Sequence, residues 1–347
     1  MKLIWDVTWK CNLRCKHCAA FDEISIAAQE SSLLEKIDII DNACNRYGLT
    51  GIHFLGGEPF LSPDFLQIFE YCQYRNLHVS IVTNGTLLNT EMIQKFLSKV
   101  VMPTELFFSI DGPNASTNDS IRGKGTYDKC IESIVELQKI AQRQDKFELL
   151  TIAIGATINK PNLEQLADYV DLCNRLKVNL NLANIAMMGN AMKHMDFLKI
   201  EDRIQFQSAL ESLCQRYAES NSDFRLHWDV PPKRTYFLNR MYGVNFIPKK
   251  FSCSVLNKTL RIDHKGSVEK CMYMQNCGEF SAETLSSDFI IGNQGFSEFP
   301  LKNLKKSVQR SISAHRFSAA ELNCEFSSDC VGCLYNEEVK PACELCL

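Results

Sequence analysis

Cys11, Cys15 and Cys18 stand with three and then two residues between them in Cys11-Asn12-Leu13-Arg14-Cys15-Lys16-His17-Cys18. Three thiols set among Asn, Arg, Lys and His do not read as apolar core cysteines. They suit a loop wrapped around a metal group. Three thiolates ligate three irons of a [4Fe-4S] cube and leave the fourth open, whereas closed clusters and structural zinc take four protein ligands. An open iron can hold a substrate or a second cofactor.

The triplet belongs to an unusual complement of 16 cysteines in 347 residues. Disulfides, metal and thiol chemistry all compete to explain it. The N-terminus, Met1-Lys2-Leu3-Ile4-Trp5-Asp6-Val7-Thr8, lacks the long apolar core and cleavage site of an export signal, so a cytoplasmic protein is expected. Reduced surroundings then favour metal or cluster binding over disulfides. No run reaches the roughly 20 apolar residues of a membrane span. With 38 basic and 41 acidic residues, a net charge of -3 gives no support to a nucleic-acid or membrane-surface role.

The elements that must position the triplet follow a β/α rhythm up to about residue 185. Apolar runs at 3–7, 51–55, 78–82, 105–110, 149–157 and 178–185 read as strands. Amphipathic stretches at 32–47, 63–75, 90–99, 127–143 and 162–177 read as helices. Six parallel strands imply an α/β fold, either a curved open barrel or a doubly wound sheet, with chemistry at the C-terminal strand ends. A helix at 201–220 and a Pro-containing segment at 229–233 bridge into a region where periodicity thins and eight cysteines fall between Phe251 and Leu347. That region is expected to be held by metal rather than by a large core. The expected domains are 1–200, a bridge at 201–250, and 251–347.

Motifs follow the strands in order. Gly56-Gly57-Glu58-Pro59 comes after the second, Thr83-Asn84-Gly85 after the third, and Ser109-Ile110-Asp111-Gly112 ends the fourth. Together with the cysteine triplet after the first strand, they resemble the motifs of radical S-adenosylmethionine enzymes. The resemblance implies a partial (β/α)6 TIM-like barrel whose open iron chelates the methionine moiety of S-adenosylmethionine. Electron transfer then cleaves the sulfonium to a 5'-deoxyadenosyl radical. It also implies cofactor contacts from Gly56, Gly57 and Glu58 to the ammonium group, Ser109 to the ribose or carboxylate, Arg122 to the carboxylate and His17 beside the adenine. Thr157 and Asn184 are further cofactor contacts by position. Asp111 is expected to cap or brace a turn.

Cys253, Gly266 and Cys271 have the spacing C-x12-G-x4-C, which resembles the opening of the SPASM extension and its auxiliary [4Fe-4S] cluster. Cys324, Cys330, Cys333, Cys343 and Cys346 follow, separated by x5, x2, x9 and x2; the count suits the extension, but the spacings depart from its pattern. One or two auxiliary clusters are implied, with Cys277 as a further ligand or a hydrogen-atom donor. Zinc is the competing reading for the two CxxC pairs. Cys44, Cys72, Cys130, Cys173 and Cys214 fall in helical patterns and read as ordinary buried residues.

This family resemblance leads to an expected oxidoreductase that oxidatively modifies a peptide, by a crosslink or a side-chain oxidation. Small-molecule dehydrogenation of an amino sugar or cyclitol, or an epimerisation, is the alternative. A non-enzymatic iron-sulfur scaffold fits poorly, having no need of a methionine pocket. An electron donor such as flavodoxin or ferredoxin is implied. His227, Asp229 and Asp263 are candidates by residue type for taking the substrate proton. A chain beginning its first strand at Leu3 leaves no room for a leader-binding domain ahead of the barrel.

Overall fold

The computed structural model describes residues 1–19, 30–228, 240–243 and 259–266. Its centre is one eight-stranded sheet, parallel at every pairing: β1 (Lys2–Asp6), β2 (Gly51–Leu55), β3 (His78–Thr83), β4 (Thr104–Ser109), β5 (Leu150–Ile158), β6 (Asn179–Asn184), β7 (Leu226–Trp228) and β8 (Thr259–Ile262). The spatial order is β7-β6-β5-β4-β3-β2-β1-β8. All six expected strands are present, each within a residue or two of its expected bounds. β7 and β8 extend the sheet at its two edges.

The first long helix begins and ends on local chemistry. α1 (Leu33–Tyr47) starts with a capping box: Glu35 N donates to Ser32 Oγ at 3.4 Å and Ser32 N donates to Glu35 Oε2 at 2.7 Å. Gly48 ends it at φ +61°. α2 (Phe65–Tyr74), α3 (Thr90–Lys99), α4 (Ala115–Arg122) and α5 (Thr126–Arg143) fill the connections as far as β5. The stretch read as a helix from 162 differs. Residues Lys160–Gln165 form a 3-10 turn and α6 spans only Asp168–Leu176. The reason lies in Asn162, whose side chain accepts from Asn159 N at 2.9 Å and donates to Thr157 O and Asp111 O at 2.8 and 3.0 Å. A side chain committed to backbone partners competes with the helix. Two short helices, α7 (Asn190–Lys193) and α8 (Met195–Leu198), and then α9 (Arg203–Glu219) precede β7.

Alternate strand residues divide the sheet into two faces. Leu3, Trp5, Ile52, Phe54, Val79, Ile81, Leu106, Phe108, Ile152 and Ile154 are buried within the main hydrophobic cluster. The opposite face carries the register row Arg261, Ile4, His53 and Ser80, joined by Phe107. This row is markedly more polar: His53 Nδ1 lies 2.5 Å from Ser80 Oγ, and Arg261 Nε and Nη2 each lie 2.7 Å from Asp6 Oδ2. That ion pair and a hydrogen bond from Trp5 Nε1 to Asp263 O at 3.1 Å fasten β8 to β1. No helix among the described residues is long and apolar enough to cross a membrane.

Candidate active site at the cysteine loop

The loop after β1 carries Cys11, Cys15 and Cys18, all half-buried and none in a disulfide. Its backbone is held from three directions. Gly57 N donates to Thr8 O and Glu58 N to Lys10 O, both at 2.7 Å. Lys16 N donates to Ile121 O at 2.9 Å, near the end of α4. From the start of α7, Asn190 donates through N to Cys18 O and through Nδ2 to Cys15 O, each at 2.9 Å.

The two glycines of the second motif act on this loop. A Cβ on Gly57 would lie 2.0 Å from Lys10 O, and one on Gly56 would lie 2.2 Å from Thr8 O. Glycine is required there because two backbones touch. The loop is also tied down by a buried charge network. Thr8 Oγ1 donates to Glu30 Oε1 at 2.6 Å, while Glu30 Oε2 accepts from Ser62 Oγ at 2.8 Å and from the fully buried Lys36 Nζ at 3.1 Å. Lys10 Nζ adds an ion pair to Glu30 at 3.3 Å.

Glu58 is only 1% exposed, and its carboxylate is enclosed by the protein. Oε1 accepts from Thr83 Oγ1 at 2.8 Å and Phe60 N at 3.3 Å, and Oε2 accepts from Asn84 N at 2.7 Å. Asn84 Nδ2 in turn donates to Asn12 Oδ1 at 3.0 Å, so Glu58 braces the third motif against the cysteine loop. Burial outweighs these bonds and pushes the carboxyl up to about 7. A folded value above the ordinary 4.5 gives stability that is full below pH 4.5 and lost as pH rises through 7. Glu58→Gln is therefore expected to flatten the fall in urea-unfolding free energy between pH 5 and 8, a difference of up to about 3 kcal/mol. Parallel pH slopes for the two proteins would remove this account.

Asp111, at the end of β4, is fully buried and joins four elements. Its Oδ1 accepts from Thr157 N at 2.7 Å, while Oδ2 lies 2.6 Å from Arg122 Nε and 3.2 Å from His17 Nε2. Burial alone would raise this carboxyl, but the guanidinium and imidazole hold it below the ordinary range. Burial lowers His17 despite Asp111, which favours a neutral ring. His17 Nδ1 is buried with no hydrogen-bond partner. The remaining arm of Arg122 reaches the cysteines: Nη1 lies 3.9 Å from Cys15 Sγ.

The other expected residues are more dispersed. Ser109 is half-buried at the end of β4, opposite Gly155. Thr157 is half-buried beside Asp111, whereas Asn184 is exposed and accepts from Trp228 Nε1 at 3.4 Å. His227 is exposed on β7, with Nδ1 2.5 Å from Asn181 Oδ1. Asp263 spends Oδ1 on Lys265 N at 2.8 Å. Asp229 and Cys253, Cys271, Cys277, Cys324, Cys330, Cys333, Cys343 and Cys346 lie outside the described residues. Of the helical cysteines, Cys72, Cys130, Cys173 and Cys214 are buried and Cys44 is half-buried. Lys36, Glu30 and Asn190 were not anticipated. For Asn190 the local signal was the turn dipeptide Gly189-Asn190.

The donor set fits an iron-sulfur cube. Burial pushes the Cys15 thiol up to about 12 and raises Cys11, so without added positive charge both stay protonated. Iron supplies that charge, and a cube gives each thiolate its own iron. Among the described residues, no three His, Cys, Asp or Glu converge on a single metal ion. The unsatisfied His17 Nδ1 offers a hydrogen-bonding atom to a bound group.

Comparison with known proteins agrees with this chemistry. Residues 6–173 match the Radical SAM superfamily. The chain is 33% identical over 175 residues to an AdoMet-dependent heme synthase of Methanosarcina barkeri, covering 50% of this chain and 47% of that protein. It is 26% identical over 226 residues to the mycofactocin maturase MftC of Mycolicibacterium smegmatis, covering 65% and 55%. The chain thus spans about half the length of these two curated relatives. In fold it resembles Streptococcus suis SuiB bound to the precursor peptide SuiA, with a TM-score of 0.69, 16% identity, and coverage of 95% of this chain and 71% of that one.

Proposed function

We propose, from the match of residues 6–173 to the Radical SAM superfamily, that the chain is a radical S-adenosylmethionine oxidoreductase that oxidatively modifies a peptide. The observation that carries the initiating chemistry is the cysteine loop, clasped by Gly56-Gly57 and backed by the buried Asp111 centre. A [4Fe-4S] cluster held there would supply the one-electron reduction of S-adenosylmethionine that makes hydrogen-atom abstraction from the substrate possible.

This chain's residues hold and orient. Cys11, Cys15 and Cys18 ligate the cluster. Gly56, Gly57 and Glu58 shape the strand end that receives the methionine group, chiefly through backbone carbonyls, because the Glu58 carboxylate is enclosed. His17 offers its buried Nδ1 to the adenine amine, and Ser109, Thr157, Arg122 and Asn184 complete the proposed cofactor set. Cys253, Cys271, Cys324, Cys330, Cys333, Cys343 and Cys346 would hold one or two auxiliary clusters in a domain at 251–347, reached through the bridge at 201–250. His227, Asp229 or Asp263 would take the substrate proton; His227 is the exposed one among the two described. Flavodoxin or ferredoxin in the cytoplasm would supply the electron.

The mycofactocin maturase match and the likeness to SuiB bound to a precursor peptide favour the peptide. The heme synthase match favours an iron porphyrin as a second reading. Anaerobically reconstituted protein with S-adenosylmethionine and dithionite should release 5'-deoxyadenosine. Iron content should be about eight per chain for one auxiliary cluster or twelve for two. Mass spectrometry then separates the readings. A short peptide encoded beside the gene should lose hydrogen in pairs, whereas turnover confined to an iron porphyrin would replace the peptide reading.

A further inference from the structure

Arg122 ends α4 with its guanidinium shared between two partners: Nε lies 2.6 Å from Asp111 Oδ2 and Nη1 lies 3.9 Å from Cys15 Sγ. The hydrogen bond from Lys16 N to Ile121 O fixes the cysteine loop to the same end of α4, so this proximity is built into the backbone. The guanidinium is nearly buried, and Asp111, fully buried, supplies its counter-charge. We infer that Arg122 and Asp111 form a positioning pair that sets the reduction potential of the cluster through Cys15 Sγ. The inference rests on the reading that Cys11, Cys15 and Cys18 hold that cluster.

The argument is electrostatic. Reduction adds one negative charge to the cluster and its thiolates, so an N–H donor and positive charge beside a ligand sulfur favour the reduced state. Asp111 opposes this by cancelling part of the guanidinium charge in a buried, weakly screened site. Removing either partner therefore moves the potential, and in opposite directions. A purely structural role predicts no such reversal of sign.

The full chain, reconstituted anaerobically, would be titrated by EPR-monitored potentiometry without S-adenosylmethionine. The relevant signal is the one that changes when S-adenosylmethionine is then added. At the potential where the wild-type cluster is half reduced, Arg122→Gln is expected to lower the reduced-to-oxidised ratio about tenfold, equivalent to about 59 mV for one electron. Asp111→Asn is expected to raise it on the order of threefold. If circular dichroism shows Arg122→Gln to be misfolded, Arg122→Lys gives the same reading, because it keeps the charge but loses the fork that spans both partners. Its ratio should fall on the order of threefold. Ratios within twofold of wild type, or shifts of the same sign for the two sites, overturn the inference. Loss of S-adenosylmethionine binding with an unshifted potential would make Arg122 solely a carboxylate clamp, which also overturns it. A wild-type protein without any S-adenosylmethionine-responsive cluster would overturn the functional reading itself.

Discussion

Replacing Cys11, Cys15 and Cys18 together by alanine is expected to abolish 5'-deoxyadenosine release, down to the level of a reaction lacking protein. The same variant should lose about four irons per chain and no more, because cysteines elsewhere keep any auxiliary clusters. On the proposed reading the effect is total, because an open iron exists only if these three thiolates hold the other three. Cys44→Ala is the appropriate control. Cys44 is half-buried in α1, away from the loop, and its replacement should leave both iron and product unchanged. Anaerobic assay by liquid chromatography and iron analysis read both quantities. A triple variant that still produced 5'-deoxyadenosine would end the assignment of the cluster to this loop.

Gly57→Ala should be among the most damaging single-methyl changes near the site. Its Cβ would lie 2.0 Å from Lys10 O and 2.5 Å from Lys10 C, and neither atom belongs to a flexible side chain. Relief requires the β2 loop and the cysteine loop to separate, which breaks the 2.7 Å bonds from Gly57 N and Glu58 N. A loss of roughly 3 kcal/mol is expected, at the upper end of overpacking costs. That corresponds to a Tm lower by roughly 5–10 °C. Cluster retention should suffer more than global stability, because the displaced atoms adjoin Cys11. Gly48→Ala gives the contrast: φ is +61° but nothing lies within 4 Å, so only a backbone cost of about 1 kcal/mol applies. Differential scanning calorimetry of the two variants tests the ordering, and equal losses would contradict it.

Much of the fold was legible because its signals are local. The strand Gly51–Leu55 and the helix Thr90–Lys99 fall on their expected bounds, the first set by an apolar run before Gly-Gly, the second by Asn89 as N-cap. The helix expected from residue 162 starts only at Asp168 because the partners of Asn162 include Asp111 O, 51 residues away in sequence. β7 and β8 escaped notice because strands of three and four residues carry too little periodicity, and both owe their place to the edges they extend. In the site, the spacing of the cysteines announced the chemistry, but the supports did not show. Lys36 lies in an amphipathic helix and reads as a solvated residue. It is buried because Glu30, Ser62 and Asp64 converge on it in three dimensions. The glycines of the second motif were expected to approach a ligand, and they touch the neighbouring loop's backbone. Asp111 was expected to brace a turn, but its side chain accepts from Thr157 N in β5, 46 residues on, and its contacts to His17 and Arg122 likewise require the folded barrel.

The pairing of β8 with β1 has a consequence for how the chain is made. The strand that carries the cysteine loop is the first to leave the ribosome, yet its outer flank must wait for partners such as Arg261, 255 residues beyond Asp6. At roughly 5–20 residues per second, that wait is on the order of tens of seconds of translation. Throughout it the nascent sheet keeps an open edge beside the cysteine loop.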